Sequence, residues 1–112
     1  MTLFEKIATG EIPARIVHES ADFIAFHDVN PQAPVHVLII PRRCIPRLSE
    51  AAPTDADLLG RMLLASGEIA EKLGLAEGGY RVVINNGRDA GESVPHLHIH
   101  VLGGRGLHWP PG

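Results

Sequence analysis

Histidine and an aliphatic residue alternate without interruption from His96 to Val101. Successive side chains of a β-strand point to opposite faces of a sheet, so this pattern predicts a strand over residues 96–102 with three imidazoles on one face. The aliphatic residues Leu97, Ile99 and Val101 lie on the other face, which needs a helix to cover it. We therefore expect a sheet with one helix-covered face and one face that carries a polar site.

The remaining hydrophobic periodicity predicts four more strands, which cover residues 16–19, 22–27, 35–40 and 80–85. A short helix precedes them, with Leu3, Phe4 and Ile7 on one face. The chain contains no internal repeat and no linker. We expect a single α+β domain, residues 1–112, with a five-stranded antiparallel sheet and two helices.

The second predicted helix is the long one. Thr54 and Asp57 resemble a capping box at its start, and apolar residues recur at helical spacing until Gly74. Gly60 and Gly67 lie inside it, and each costs about 1 kcal/mol of helix stability relative to alanine. Their presence predicts that this helix packs closely against another backbone.

Composition limits the partners and the compartment. The formal net charge is −3 and no basic run extends beyond Arg42, Arg43 and Arg47, so we expect no nucleic-acid partner. No segment has the roughly 20 apolar residues that cross a bilayer, so we expect no membrane partner. Cys44 is the only cysteine, and residues 1–10 lack the apolar stretch of a signal peptide. Together these features predict a cytoplasmic protein.

Three interpretations of the histidine face compete. The first interpretation is a solvated polar face of an amphipathic strand, but such faces usually carry Thr, Lys, Glu or Arg rather than three histidines. A metal site is the second interpretation, but the Cα atoms of His96 and His100 lie roughly 13 Å apart at ~3.3 Å per residue, so we do not expect one ion to bind the entire row. Catalysis on a phosphate uses every histidine, because one neutral imidazole attacks while its neighbours stabilise charge. His36, on the strand after Pro34, completes the group if the two strands are neighbours.

The segment from His96 to Leu102 resembles the motif of the histidine-triad superfamily, in which histidines alternate with apolar residues. Further segments resemble the histidine triad nucleotide-binding (Hint) branch of that superfamily. These are residues 26–34, His36, the loop of residues 85–93 and the tail of residues 103–112. The resemblance covers nearly the whole chain. It implies a homodimer whose two sheets join into one continuous ten-stranded sheet.

The resemblance also implies a purine nucleoside phosphoramidase that uses no cofactor and no metal. Such an enzyme binds purine nucleoside monophosphates and phosphoramidates, and it converts adenosine 5′-phosphoramidate or acyl-adenylates to AMP. His98 is the implied nucleophile, and it forms a nucleotidyl-histidine that water hydrolyses. His36 and His100 would hold phosphoryl oxygens, His96 would order the row, and Ser93 would donate a proton to the leaving group.

A nucleoside pocket is implied in the same way. Asp28 would accept hydrogen bonds from the ribose hydroxyls. Asn85 and the backbone at Gly91 would meet the phosphate, and Trp109 would reach the partner subunit's active site. The apolar slot for the base would be formed by Leu3, Phe4, Ile7, Phe26, His27, Val29 and Leu38. Two alternatives stay open, a nucleotide-binding regulatory or scaffold protein with incidental hydrolysis and a metal-dependent hydrolase.

Overall fold

The computed structural model describes residues 1–112, which form two α-helices and five β-strands. In chain order these are α1 (Leu3–Ala8), β1 (Ile16–Glu19), β2 (Phe23–His27), β3 (Val35–Pro41), α2 (Ala56–Lys72), β4 (Tyr80–Val83) and β5 (Ile99–Gly103). All five strands join one antiparallel sheet in the order β1-β2-β3-β5-β4. The predicted α+β fold with a five-stranded antiparallel sheet is therefore confirmed. Neither helix combines the length and the apolar character that crossing a membrane requires.

The two faces of the sheet bury different clusters. Directly paired residues of antiparallel strands share a face, so Val37 and its partner Val101 lie on one side while Leu38 and its partner His100 lie on the other. The Val37 side packs against α2, whose buried residues include Met62 and Ile69. The opposite side carries a smaller apolar cluster, formed by Phe4, Ile24, Phe26, Leu38 and Ile40. Helix α1 packs over part of this second face, where its Phe4 contacts the rings of His96 and His98.

Strand β5 begins at Ile99 and not at His96 as predicted. The last ladder pair between β3 and β5 is Ile39 with Ile99. Beyond it β3 ends at Pro41, which has no N–H to offer to a further ladder. The chain before Ile99 is held instead by the Leu97 N–H, which donates to the carbonyl oxygen of Ile45 at 2.7 Å. The alternation of faces nevertheless continues, since Leu97 is buried and His98 lies beside His100.

The start of α2 also differs from the prediction. Thr54 lies within a single 3₁₀ turn, Pro53–Asp55, and Asp57 pairs with Arg61 on the exposed side of the helix. Asp55 occupies the N-cap position of α2 but makes no side-chain hydrogen bond to the helix; its carboxylate accepts the N–H of Ala52 at 2.8 Å, which closes the 3₁₀ turn, and pairs with Arg43. These contacts hold the pKa of Asp55 below its usual value.

The predicted backbone packing at the two helix glycines is wrong. A Cβ at Gly60 would have no neighbour within 4 Å, and one at Gly67 would meet only the side-chain hydroxyl of Tyr80, at 3.4 Å. The helix therefore carries the propensity cost of both residues without a backbone contact in return. Helix α2 ends at Lys72, and Gly74 follows with a left-handed φ of +80°, as is common after helix C-termini.

Replacing Gly104 by alanine is expected to lower the free energy of unfolding by about 1–3 kcal/mol. Gly104 follows β5 with φ +91°, and an added Cβ would lie 2.9 Å from the Cβ of Pro34. Gly106→Ala is the matched control, because a Cβ there would have nothing within 4 Å. Urea denaturation of both variants measures the difference, and equal effects would contradict the packing described.

Candidate active site

A cavity of about 310 Å³ opens on the histidine side of the sheet, between α1, the end of β2 and the segment before β5. Its wall is mostly apolar, and its polar groups are a carboxylate, a hydroxyl and two imidazoles. The lining residues are Leu3, Phe4, Ile7, Ile12, Pro13, Ala14, Phe26, Asp28, Val29, Leu38, Ser93, Val94, His98 and His100. An apolar slot with a few convergent polar groups at one end is typical of a small-molecule site.

Ten of the residues singled out from the sequence line this cavity, and six do not. His36 and His96 do not line the cavity but bond to the two histidines that do. The Nε2 of His36 bonds to the ring of His100, and the backbone carbonyl oxygen of His96 bonds to the ring of His98. His27 shares the sheet face of its partner Val37 and contributes to a neighbouring groove. The other three that lie outside the lining are Asn85, Gly91 and Trp109, the last of which is 82% exposed.

Four lining residues were not singled out from the sequence: Ile12, Pro13, Ala14 and Val94. Ile12, Pro13 and Ala14 connect α1 to β1, and Val94 precedes the histidines. None belongs to a periodic element, so hydrophobic patterning gives no signal for them. Residues 12–14 reach the site because the connection between α1 and β1 lies against the cavity.

His98 presents one ring nitrogen to the cavity because its other ring nitrogen is occupied. The Nδ1 of His98 lies 2.7 Å from the backbone carbonyl oxygen of His96. A carbonyl oxygen only accepts hydrogen bonds, so Nδ1 carries the proton and the lone pair of the neutral ring lies on Nε2. Phe4 packs edge-on against this ring, with centroids 5.0 Å apart, and limits its rotation. In the neutral ring, the result is an oriented Nε2 lone pair that faces an apolar cavity.

His36 and His100 are joined by a hydrogen bond whose direction is fixed from one end. The Nδ1 of His36 accepts the backbone N–H of Gln32 at 3.0 Å, so the proton of the neutral ring lies on Nε2. That N–H donates to Nδ1 of His100 at 2.9 Å. His100 must then carry its own proton on Nε2, which is buried and has no partner in the protein. This N–H is free to donate to an acceptor that enters the cavity.

Burial favours the neutral form of His36, His96 and His100. Burial, reinforced by the neighbouring His98 and His36 and opposed by Asp28, lowers the pKa of His100 to about 4. Burial likewise lowers the pKa of His36, against an opposing effect of Asp28, and that of His96. A neutral His100 can donate a hydrogen bond through Nε2 to an entering acceptor at neutral pH without bringing a positive charge into the cavity.

Asp28 follows β2 at the rim of the cavity. Its backbone N–H donates to the His36 carbonyl oxygen at 2.9 Å, and its Oδ1 accepts the N–H of Asn30 at 2.9 Å. Its Oδ2 lies 3.5 Å from Nε2 of His36. The carboxylate is thus held in place by the backbone, yet it retains lone pairs for further donors.

The loop before the histidines is fixed by Glu92. Its carboxylate accepts two hydrogen bonds from the guanidinium of Arg47, each at 3.0 Å, and one from the N–H of Gly87 at 3.0 Å. The bonds from Arg47, followed by the one from Gly87, hold the pKa of Glu92 below its usual value. Ser93, the next residue, extends into the cavity wall.

Two clusters bring potential metal ligands within 4.8 Å of one another, and these are Asp28 with His36 and His100, and Glu5 with Cys44 and His96. In the first, the two ring nitrogens lie at the distance of an N–H···N bond. In the second, both nitrogens of His96 already have partners, and burial, reinforced by Glu5, raises the pKa of the Cys44 thiol. A thiol binds metal only as the thiolate, so this raised pKa disfavours a metal ion in the second cluster. In both clusters the geometry favours hydrogen-bonded histidines.

Comparison with known proteins agrees with this geometry. The family model described as HIT domain matches residues 9–107. An uncharacterized HIT-like protein of Synechocystis is 55% identical over 111 residues, which cover 99% of this chain and 96% of the relative. A crystal structure of a HIT family hydrolase from Legionella pneumophila superposes with a TM-score of 0.97 at 46% identity and full coverage of both chains. A histidine triad nucleotide-binding protein from Candida albicans gives 0.84 at 34% identity, covering 98% of this chain and 83% of that one. The chain belongs to the HIT domain family.

Proposed function

We propose that this protein is a purine nucleoside phosphoramidase of the Hint branch. Its substrates would be adenosine 5′-phosphoramidate and related nucleotidyl amines or acyl-adenylates, which it would convert to AMP. The base would occupy the apolar end of the cavity, beside Leu3, Phe4 and Ile7. The ribose hydroxyls would donate to Asp28. This arrangement brings the 5′-phosphate to the end of the cavity that holds His98 and His100.

The orientation of two ring nitrogens carries the proposal. The unprotonated Nε2 of His98 would attack phosphorus, and the P–N bond would break as the nitrogen leaves with a proton from Ser93. The unpartnered Nε2–H of His100 would donate to a phosphoryl oxygen as charge develops there. Water would then attack phosphorus and return a proton to the Ser93 oxygen, and cleavage of the bond to His98 would release AMP and restore the neutral ring.

The names of similar proteins support a hydrolase that acts on nucleotides. The Legionella protein is called a HIT family hydrolase, and the Candida protein is called a histidine triad nucleotide-binding protein. The second name also favours one alternative, a nucleotide-binding protein whose hydrolysis is incidental. That alternative predicts ordinary AMP affinity together with a turnover rate close to that of the uncatalysed reaction.

A panel of nucleoside 5′-phosphoramidates tests the proposed activity directly. We expect rapid release of amine from the adenosine and guanosine compounds and slower release from the cytidine compound, since a purine buries more apolar surface in the cavity. The 2′,3′-dideoxy analogue should be a poor substrate because it has no hydroxyl to offer to Asp28. Unchanged rates in the presence of a chelator would argue against the metal-dependent alternative. Absence of turnover with every member of the panel would contradict the proposal.

We also propose that the protein acts as a cytoplasmic homodimer that pairs through β4. This strand lies at the edge of the sheet, where its backbone groups are available to a second copy. The Arg81 guanidinium donates to the His108 carbonyl oxygen at 2.9 Å, which holds the tail beside that edge while Trp109 stays 82% exposed. An indole of this size is costly to leave in water, so a partner surface is expected to cover it.

Light scattering tests the dimer. We expect a particle of twice the 12.1 kDa chain mass, and we expect Trp109→Ala to change the relative rates for substrates with bulky leaving groups. Gly112→Ala, at an exposed tail position with no neighbour within 4 Å, is the control. A strictly monomeric protein with full activity would refute this part of the proposal.

A further inference from the structure

We propose that Thr2 is a positioning residue for the reaction, acting on His98 through His96. This inference rests on the proposed function, because it assigns His98 the role of nucleophile. Thr2 and His96 are 94 residues apart in the chain, yet their side chains form a hydrogen bond.

The first step is the hydrogen bond between Thr2 and His96. The Nε2 of His96 lies 2.8 Å from the carbonyl oxygen of Pro41, which only accepts, so Nε2 carries the proton and Nδ1 is an acceptor. The Thr2 hydroxyl lies 2.9 Å from Nδ1 and is therefore the donor. His96 is 0% exposed, so no solvent reaches the ring to replace this donor.

The second step leads from His96 to His98. Hydrogen bonds at both ring nitrogens fix His96 between the start of α1 and the end of β3. The backbone carbonyl oxygen of the same residue accepts the Nδ1–H of His98 at 2.7 Å. That bond selects the tautomer and the direction of the attacking nitrogen. A shift of His96 therefore becomes a shift of His98 Nε2.

Thr2 is also the N-cap of α1. Its Oγ accepts the N–H of Glu5 at 3.0 Å, and the Glu5 carboxylate accepts the N–H of Thr2 at 2.9 Å. The hydroxyl thus accepts from Glu5 and donates to His96 at the same time. Asp is an equally good N-cap, but its carboxylate has no proton to donate to an unprotonated ring nitrogen. The site requires a residue that does both, which Thr and Ser can do.

The two contacts have separable kinetic consequences. Helix α1 supplies Leu3, Phe4 and Ile7 to the wall of the cavity, so a weakened cap should raise KM. Loss of the bond to His96 should misalign His98 and lower kcat, since small misplacements of a reacting group cost large factors in rate. Glu5→Ala weakens the cap and leaves the Thr2 hydroxyl in place. Thr2→Val removes the hydroxyl without opening space for water.

The decisive experiment compares these variants with adenosine 5′-phosphoramidate as substrate. We expect Thr2→Val to lower kcat about tenfold, Glu5→Ala to raise KM with kcat within about twofold of the parent protein, and Thr2→Ser to restore kcat. Equal kcat in Thr2→Val and the parent protein would overturn the proposal. So would the same loss of kcat in Thr2→Val and Glu5→Ala.

A readout without turnover keeps this test separate from the proposed function. Nitrogen-15 NMR of the histidine rings should show a displaced resonance of the His98 Nδ1–H group in Thr2→Val and an unchanged one in Glu5→Ala, while His96 Nδ1 also responds to the nearby Glu5 charge. If the parent protein hydrolyses no phosphoramidate, the proposed function fails while these resonances still report on the contact. Unmoved resonances in Thr2→Val would overturn the link between Thr2 and His98.

Discussion

His98→Ala is expected to lower the rate of phosphoramidate hydrolysis by at least about a thousandfold while AMP still binds. The change removes the only nitrogen whose lone pair is directed into the cavity by a fixed tautomer. The apolar wall, Asp28 and His100 stay in place, so the base and the phosphate keep their contacts. Steady-state kinetics and calorimetric titration with AMP measure the two effects.

A second histidine provides the control for that result. His18 lies in β1, where its ring stacks on Phe23 with centroids 5.6 Å apart, and it does not line the cavity. His18→Ala should turn over substrate at the rate of the parent protein. A His98→Ala protein that retained a tenth of the parent rate would contradict the covalent mechanism.

Mild acid is expected to destabilise the protein, and His100 makes a large contribution to this effect. Burial, together with His98 and His36, lowers its pKa to about 4 in the folded chain. In the unfolded chain a histidine takes up its proton near pH 6.5. Between these two values the unfolded state binds more protons, so the stability falls as the pH falls. At about pH 5 the loss from this ring alone is on the order of 2 kcal/mol, and it grows until about pH 4.

Urea denaturation at neutral pH and at about pH 5 measures this loss. His36 and His96 also have lowered pKa values and add to it in the same direction. His100→Gln removes one titrating ring, and it should therefore flatten the dependence of stability on pH without abolishing it. His18→Gln provides a matched comparison, and an identical pH dependence in both variants would contradict the assignment to His100.

The histidine row shows what the sequence could predict and where local pattern was insufficient. Alternation placed Leu97, Ile99 and Val101 toward the buried side, and all three are buried. It could not show that the ladder stops at Ile99, because that limit comes from Pro41 at the end of a strand distant in the sequence. The pattern of one strand determines its faces, whereas its length depends on its neighbours.

The capping of α2 illustrates a second limit. The spacing of Thr54 and Asp57 fits a capping box, but the contact that forms joins Asp55 to Ala52, which have the same spacing and belong to the 3₁₀ turn before the helix. Asp55 is also held by Arg43, with which it forms an ion pair. Local spacing alone does not contain that contact.

Most of the cavity wall was expected only through the resemblance to known proteins. Without that resemblance, Phe4, Ile7 and Leu38 are interpreted simply as core residues; Phe4 and Leu38 do belong to a buried cluster, and Ile7 packs against it. The hydrogen bonds that determine the tautomers could not be predicted from the sequence, since the one between His36 and His100 joins residues that are 64 apart in the chain. Candidate groups could thus be found from the sequence, but their proton positions required the fold.

Mapping the adenylyl group after rapid mixing with adenosine 5′-phosphoramidate is the most direct test of the covalent mechanism. The protein is quenched in alkali, which preserves a phosphorus–nitrogen bond, and its peptides are analysed by mass spectrometry. We predict an AMP adduct on the Nε2 of His98 that forms and decays at the rate of turnover. Turnover without any adduct, or with the adduct on another residue, would contradict the mechanism.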